Sequence, residues 1–243
     1  MAQTLPRDEG PAMDCRVAFP ASALLARLDR RSPTMAPWAA YLPRPLRPAA
    51  VPAWLAAGGA ASSTEEQDTE SLRSLPSLVT GHVWALSRDP AGCRQVQRAF
   101  DATDDEAVLS GLASELRGHV LEASRCPHGN HVLQRCIMVV RPQALQFIVD
   151  EVERGALPTA HHKYGCRVVQ CLVRRCPPGQ LRGLARALLS AAAESCLHPY
   201  GNYVVQCLLE FGNEEDRRRL LAVLREHAAR LCRDSRGLAV LGS

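Results

Sequence analysis

Five glycines, Gly92, Gly129, Gly165, Gly201 and Gly237, stand 37, 36, 36 and 36 residues apart. A period of that length marks a solenoid, in which each unit is too small to bury its apolar face alone and buries it against its neighbours. The register extends beyond the glycines. Four of them open near-copies of one phrase: GCRQVQ, GNHVLQ, GCRVVQ and GNYVVQ. Ten residues upstream stand His82, His119, Gly155, Ala191 and His227. Between the phrases run leucine-rich amphipathic stretches, DEAVLSGLASELRGHV, PQALQFIVDEVERG, GQLRGLARALLSAA and EEDRRRLLAVLREHA, several starting with the Asp, Glu, Gln or Pro that suit a first helical turn.

Each unit therefore reads as a short helix, a turn, a glycine-led helix, a second turn and a longer amphipathic helix. No segment alternates with a period of two, so strands are not expected. The expected fold is all-α, a curved solenoid over residues 63–243. Its parts are a capping helix at 63–80, repeats at 81–117, 118–154, 155–190 and 191–226, and a degenerate or truncated repeat at 227–243. The capping helix is signalled by STEEQDTE, Ser/Thr followed by acids, and then by Leu72, Leu75 and Leu78. Residues 1–62 read differently. Ten of the chain's 17 prolines precede residue 77, and proline removes donors and stops helices. A Pro/Ala-rich disordered arm is expected there, with Trp38, Tyr41 and Trp54 as docking points.

The net charge of +4 permits a polyanionic partner without demanding one. Residues 1–80 are neutral, so the whole excess lies in the repeat region. No apolar run is long enough to span a membrane. The N-terminus lacks a secretory pattern, and Asp8, Glu9, Asp14 and Asp29 speak against an organellar presequence. Nine of the ten cysteines fall between Cys93 and Cys232, with no Cys-x-x-Cys pair. They read as reduced, small apolar residues rather than as disulfides or metal ligands.

With the five residues after each glycine numbered one to five, positions one and five are i,i+4 neighbours on a helix, and position two flanks the same face. Positions three and four turn to the core. The expected outward triplets are Cys93, Arg94 and Gln97; Asn130, His131 and Gln134; Cys166, Arg167 and Gln170; and Asn202, Tyr203 and Gln206. Arg, His and Tyr are planar side chains that stack on bases, whereas Gln and Asn carry the paired donor and acceptor that read a base edge. Taken singly, such a Gln serves equally well as a bridge between repeats. Four triplets in register point to a groove for single-stranded nucleic acid, since stacking the repeats requires only the apolar positions to recur. His161 and His162, beside a cysteine-rich helix, raise the thought of a Cys/His pair but read as a solvent-exposed turn. No phosphate-cradling loop appears, and the chain reads as a non-enzyme with no cofactor and no metal.

These phrases, with GHV at Gly81 and Gly118, resemble the Pumilio/FBF (PUF) repeats of RNA-binding proteins, over roughly residues 63–243. The resemblance implies an armadillo-like right-handed superhelix of three-helix repeats, each taking one base. By the family's pattern, position two stacks between bases (Arg94, His131, Arg167, Tyr203). Positions one and five touch the base edge (Cys93, Gln97, Asn130, Gln134, Cys166, Gln170, Asn202, Gln206). Cys with Gln implies adenine, and Asn with Gln implies uracil, the Asn amide supplying an added donor. With the RNA antiparallel to the repeats, the implied core is 5'-UAUA-3'. The resemblance further implies a monomer in the cytoplasm that binds mRNA 3' untranslated regions and, with regulatory protein partners, controls translation or mRNA stability. The alternatives are a nuclear or nucleolar relative acting in rRNA processing and a helical scaffold for proteins. The fifth copy, RGLAVLG, departs from the pattern and reads as an end cap or the stub of a longer array.

Overall fold

The computed structural model describes residues 74–243. The proline-rich arm, its aromatic residues and the helix start at Ser63 lie outside that range; the lead-in helix occupies residues 74–79 within it. The following helices are α1 Val83–Ser87, α2 Gly92–Asp101, α3 Glu106–Ser114, α4 Val120–Arg125 and α5 Gly129–Val139. A 3-10 turn, Pro142–Leu145, leads into α6 Gln146–Arg154. Then come α7 Ala156–Ala160, α8 Gly165–Arg175, α9 Arg182–Ser190, α10 Ala192–Leu197, α11 Gly201–Phe211, α12 Glu214–Glu226, α13 Ala228–Leu231 and α14 Ser235–Gly242. No strand occurs among the described residues. The expected triplet of helices repeats four times, and a fifth short-helix and glycine-helix pair ends the chain.

The glycine-led helices α2, α5, α8, α11 and α14 pack side by side in that order, each also resting on the short helix of its own unit. The third helices form a further layer in which α6 meets α9 and α9 meets α12. The apolar pair of each phrase fills the space between them. Val132, Leu133, Val168, Val169, Val204, Val205, Val240 and Leu241 are all buried, as is Val96. In the first unit Gln95, exposed, replaces the first residue of the pair, where no described unit precedes it. Burying such a Val or Leu contributes about 1.5–3 kcal/mol, so this ladder holds the stack together.

Third helices start where the acids promised. Asp105 Oδ1 accepts from the backbone N–H groups of Ala107 and Val108, and Asn213 Oδ1 accepts from that of Asp216. The carboxylates of Glu115 and Glu151 act one period apart. Glu115 accepts from the N–H groups of Gly81 (2.7 Å) and Val83 (2.9 Å), and Glu151 from those of Gly118 (2.6 Å) and Val120 (3.2 Å). Each therefore ties the end of a unit's third helix to the start of its first. Gly81 and Gly118 both have φ of 82°, a left-handed conformation suited to glycine.

The period-setting glycines have a different task from the turn opening their place in the phrase suggests. None has a positive φ, and each already lies in the first turn of a helix, four of them as its first residue and Gly237 as the third. What they permit is contact. A Cβ on Gly92 would lie 2.6 Å from the carbonyl oxygen of Leu86, and one on Gly129 would lie 3.2 Å from that of Ala123. Gly165 and Gly237 approach the carbonyl oxygens of Thr159 and Leu231 more closely still. The partner is always six residues upstream, in the short helix. Gly165→Ala should therefore cost about 1–3 kcal/mol through forced backbone displacement. Gly179→Ala, whose Cβ would meet nothing within 4 Å, should be neutral within about 0.5 kcal/mol. Urea unfolding of the two variants checks the contrast.

Candidate nucleic-acid interface

The start of each glycine-led helix holds the sequence-predicted residues at one level of the stack. Position two behaves as expected. Arg94, His131 and Tyr203 are exposed and Arg167 is half-buried, so all four planar groups stand at the surface. His131 and Arg167 belong to adjacent units and feel one another. Partial burial, then the Arg167 charge, then His128 hold the His131 imidazole below its usual pKa.

Positions one and five do not project outward. Cys93, Cys166, Asn130, Asn202, Gln134, Gln170 and Gln206 are all buried, and Gln97 is half-buried. The reason is the side-by-side packing of the glycine-led helices, which encloses the i,i+4 face and leaves only its flank open. These residues make a floor, held in place by hydrogen bonds. In the cysteine units the Gln amide donates to the backbone carbonyl of position one: Gln97 Nε2 to Cys93 O and Gln170 Nε2 to Cys166 O, both 3.0 Å. In the asparagine units it donates to the side chain, Gln134 Nε2 to Asn130 Oδ1 at 2.9 Å and Gln206 Nε2 to Asn202 Oδ1 at 3.1 Å.

The asparagines are spoken for at both ends. Asn130 Nδ2 donates to the carbonyls of Cys126 (2.8 Å) and Pro127 (2.9 Å), and Asn202 Nδ2 to those of His198 (2.8 Å) and Pro199 (3.1 Å). The spare Asn donor that the sequence suggested for uracil is thus committed to the turn in this state, and a base must exchange one of those bonds to use it. Each unit therefore holds a Gln carboxamide at this level, with a planar side chain beside it. That combination suits the edge and face of one nucleobase.

His161 is not the exposed turn residue the sequence suggested. Its Nε2 lies 2.9 Å from Ser195 Oγ, and its ring stacks on His198 with centroids 4.0 Å apart. It bridges two units and does not serve a cysteine. Burial pushes the Cys166 and Cys171 thiols up to about 11 and about 12, which leaves them protonated at neutral pH. The nine described cysteines are free, and seven are buried.

The caps of the glycine-led helices escaped the sequence reading. Asp89 Oδ2 accepts from the N–H groups of Ala91 (2.8 Å) and Gly92 (2.6 Å), and Asp234 Oδ1 from those of Arg236 (2.8 Å) and Gly237 (3.3 Å). Histidine does the same in the third and fourth units. His162 Nδ1 accepts from Tyr164 (3.2 Å) and Gly165 (3.4 Å), and His198 Nδ1 from Tyr200 and Gly201, both 3.1 Å. The signal was available: the third residue before each glycine reads Asp89, Cys126, His162, His198 and Asp234.

Comparison with known proteins agrees with this geometry. The family model for the Pumilio-family RNA binding repeat matches residues 82–110, 119–153, 159–189 and 196–225, together just over half of the chain. Pumilio homolog 9 of Arabidopsis thaliana is 26% identical over 109 residues, covering 44% of this chain and 19% of the relative. Pumilio homology domain family member 4 of Saccharomyces cerevisiae is 36% identical over 47 residues, 19% of this chain and 5% of the relative. Among solved structures, PUF-8 in complex with PBE-RNA superposes with a TM-score of 0.67 at 27% identity, covering 72% of this chain and 51% of that one. The Puf4 RNA binding domain bound to the HO endonuclease RNA 3' UTR recognition sequence gives 0.63 at 26%, covering 71% and 55%. The chain thus spans about half the length of these solved domains and a fifth or less of the two curated relatives.

The histidine caps make the stack sensitive to acid, because a ring nitrogen can accept two N–H groups only while unprotonated. Burial lowers the pKa of His162, with smaller contributions from Arg125 and Lys163, and burial then Arg236 lower that of His198. His161 is lowered by burial and then by His198, against an opposing pull from Glu194. A histidine whose folded pKa lies below its unfolded value of about 6.5 contributes its full stabilisation above that value. The contribution is lost as pH falls through the folded pKa. The urea midpoint should therefore drop between about pH 7 and pH 5. His162→Asp, which installs the cap of the first and fifth units, should make that drop shallower. Urea titrations across the pH series measure both.

Proposed function

Because the chain belongs to the Pumilio family of RNA-binding repeat proteins, we propose that its row of glycine-led helices binds single-stranded RNA sequence-specifically, with 5'-UAUA-3' as the core. The observation that carries this reading is the registered floor of four Gln carboxamides, Gln97, Gln134, Gln170 and Gln206, flanked by Arg94, His131, Arg167 and Tyr203. The alternation of the amide's partner supports the alternation of bases. Where Cys occupies position one, the Gln is held by the backbone and the small thiol leaves room for a purine. Where Asn occupies it, a second carboxamide lies behind the first, and the smaller uracil brings two acceptors and one donor to the pair.

The neighbouring complexes with 3' UTR sequences support mRNA untranslated regions as the ligand class. With that ligand the role is control of translation or mRNA stability in the cytoplasm, through regulatory partners recruited to the bound message. Stacking contributes about 1–3 kcal/mol per base, so four bases give a gross gain that association costs reduce strongly. The expected affinity for the core is in the micromolar range.

Fluorescence anisotropy with labelled RNAs tests the proposal. The UAUA core should bind at least about tenfold more tightly than scrambled or GC-rich RNA of equal length, and equal binding to all would refute sequence-specific recognition. The register has its own test. In the double variant Asn202→Ser, Gln206→Glu, a carboxylate faces the base and accepts from the two adjacent N–H donors that guanine presents. Preference at the first position should shift from U to G, while the other three positions keep theirs.

A further inference from the structure

The fifth unit has lost the reading residues but not the architecture that presents them. Helix α14 packs on α11 as α11 packs on α8. Gly237 makes the same close approach to a carbonyl six residues upstream, that of Leu231, and Asp234 caps the helix as Asp89 caps α2. The helix also packs on α10, the short helix of the fourth unit. In register, Leu238 takes position one, Ala239 position two and Gly242 position five. Position one is buried in all four preceding units, but Leu238 is 41% exposed, and Ala239 and Gly242 are exposed beside it. The neighbouring planar residue, Tyr203 at the start of α11, is also 41% exposed.

We propose that this apolar face is a fifth nucleotide slot, which takes the base immediately 5' of the core without reading its identity. The inference rests on the RNA-binding reading above. Continuity with the proposed row of bases names the occupant: by the family's pattern position-two residues stack between bases, which gives the exposed Tyr203 one face toward the base of the fourth unit and the other toward the next base in the 5' direction. Leu238 supplies an apolar floor for that base. Neither Leu238 nor Gly242 carries a side-chain donor or acceptor, so nothing at positions one and five can distinguish the four base edges. The slot therefore adds affinity through apolar contact and stacking, which every base provides, and adds no sequence requirement.

The test uses the full chain and 3'-labelled RNAs: UAUA, NUAUA with each of the four bases as N, and the same pentamer with an abasic 5' nucleotide. Each of the four bases should tighten binding about tenfold over UAUA, with less than about threefold spread among them. The abasic pentamer, which adds only sugar and phosphate, should fall well short of that gain. Leu238→Asp should abolish the gain while leaving the affinity for UAUA unchanged, which also reports that the variant is folded. Binding of UAUA with no gain from a fifth base would overturn this inference and leave the four-base reading intact. Failure of UAUA itself would overturn that reading first. A gain confined to one base would show that the slot reads, contrary to the proposal. Equal affinity for four- and five-base RNAs, with concentration-dependent self-association that Leu238→Asp removes, would assign the face to a second copy of the chain.

Discussion

One contact governs this structure, that between the period-setting glycine in the first turn of each glycine-led helix and a carbonyl oxygen six residues upstream in the short helix before it. Gly92 on Leu86, Gly165 on Thr159 and Gly237 on Leu231 leave no room for a Cβ. The contact fixes the depth at which each of these helices enters the stack. Because it recurs every 36 or 37 residues, the next five positions of every unit arrive at the same level. A shift of one unit would break the row of carboxamides without breaking the solenoid. The caps reinforce the same point, with Asp89, His162, His198 and Asp234 each holding an N–H of the glycine itself.

The residues assigned to base reading are also structural. Asn130 and Asn202 hold both turn carbonyls and the neighbouring Gln, so their side chains are ordered before any ligand arrives. Preorganisation of this kind lowers the ordering cost of binding. It also means that a change of reading residue changes the local hydrogen-bond economy of the fold. Position two is the opposite case: its side chains stand at the surface, exposed in Arg94, His131 and Tyr203 and half-buried in Arg167, and present a planar face. In the proposed complex the base edge meets the buried floor and the base face meets the exposed flank.

Much of this was legible in the sequence because periodicity and helix geometry are local consequences of residue type. The period, the three helices per unit, the inward apolar pair and the exposed position two all follow from spacing alone. The burial of positions one and five did not, because it depends on how closely the next helix approaches, and spacing within one helix carries no information about that distance. The histidine caps were hidden for a related reason. A histidine three residues before a glycine resembles a turn residue until the turn brings its Nδ1 over two N–H groups. His161 acquired its role only when the next unit placed Ser195 and His198 against it.

By itself, then, the sequence determined an all-α repeat array, its register, and the identity of the planar and carboxamide side chains that recur in it. Composition and spacing suffice for those because they are properties of single helices. Only the tertiary structure decided which side chains form the buried floor and which stand at the surface, and that the glycines serve contact instead of turning the chain. It also decided that the fifth unit keeps the presenting geometry after losing the reading residues. Each of these depends on the distance between neighbouring helices, which is set by packing between units and not by any one stretch of chain.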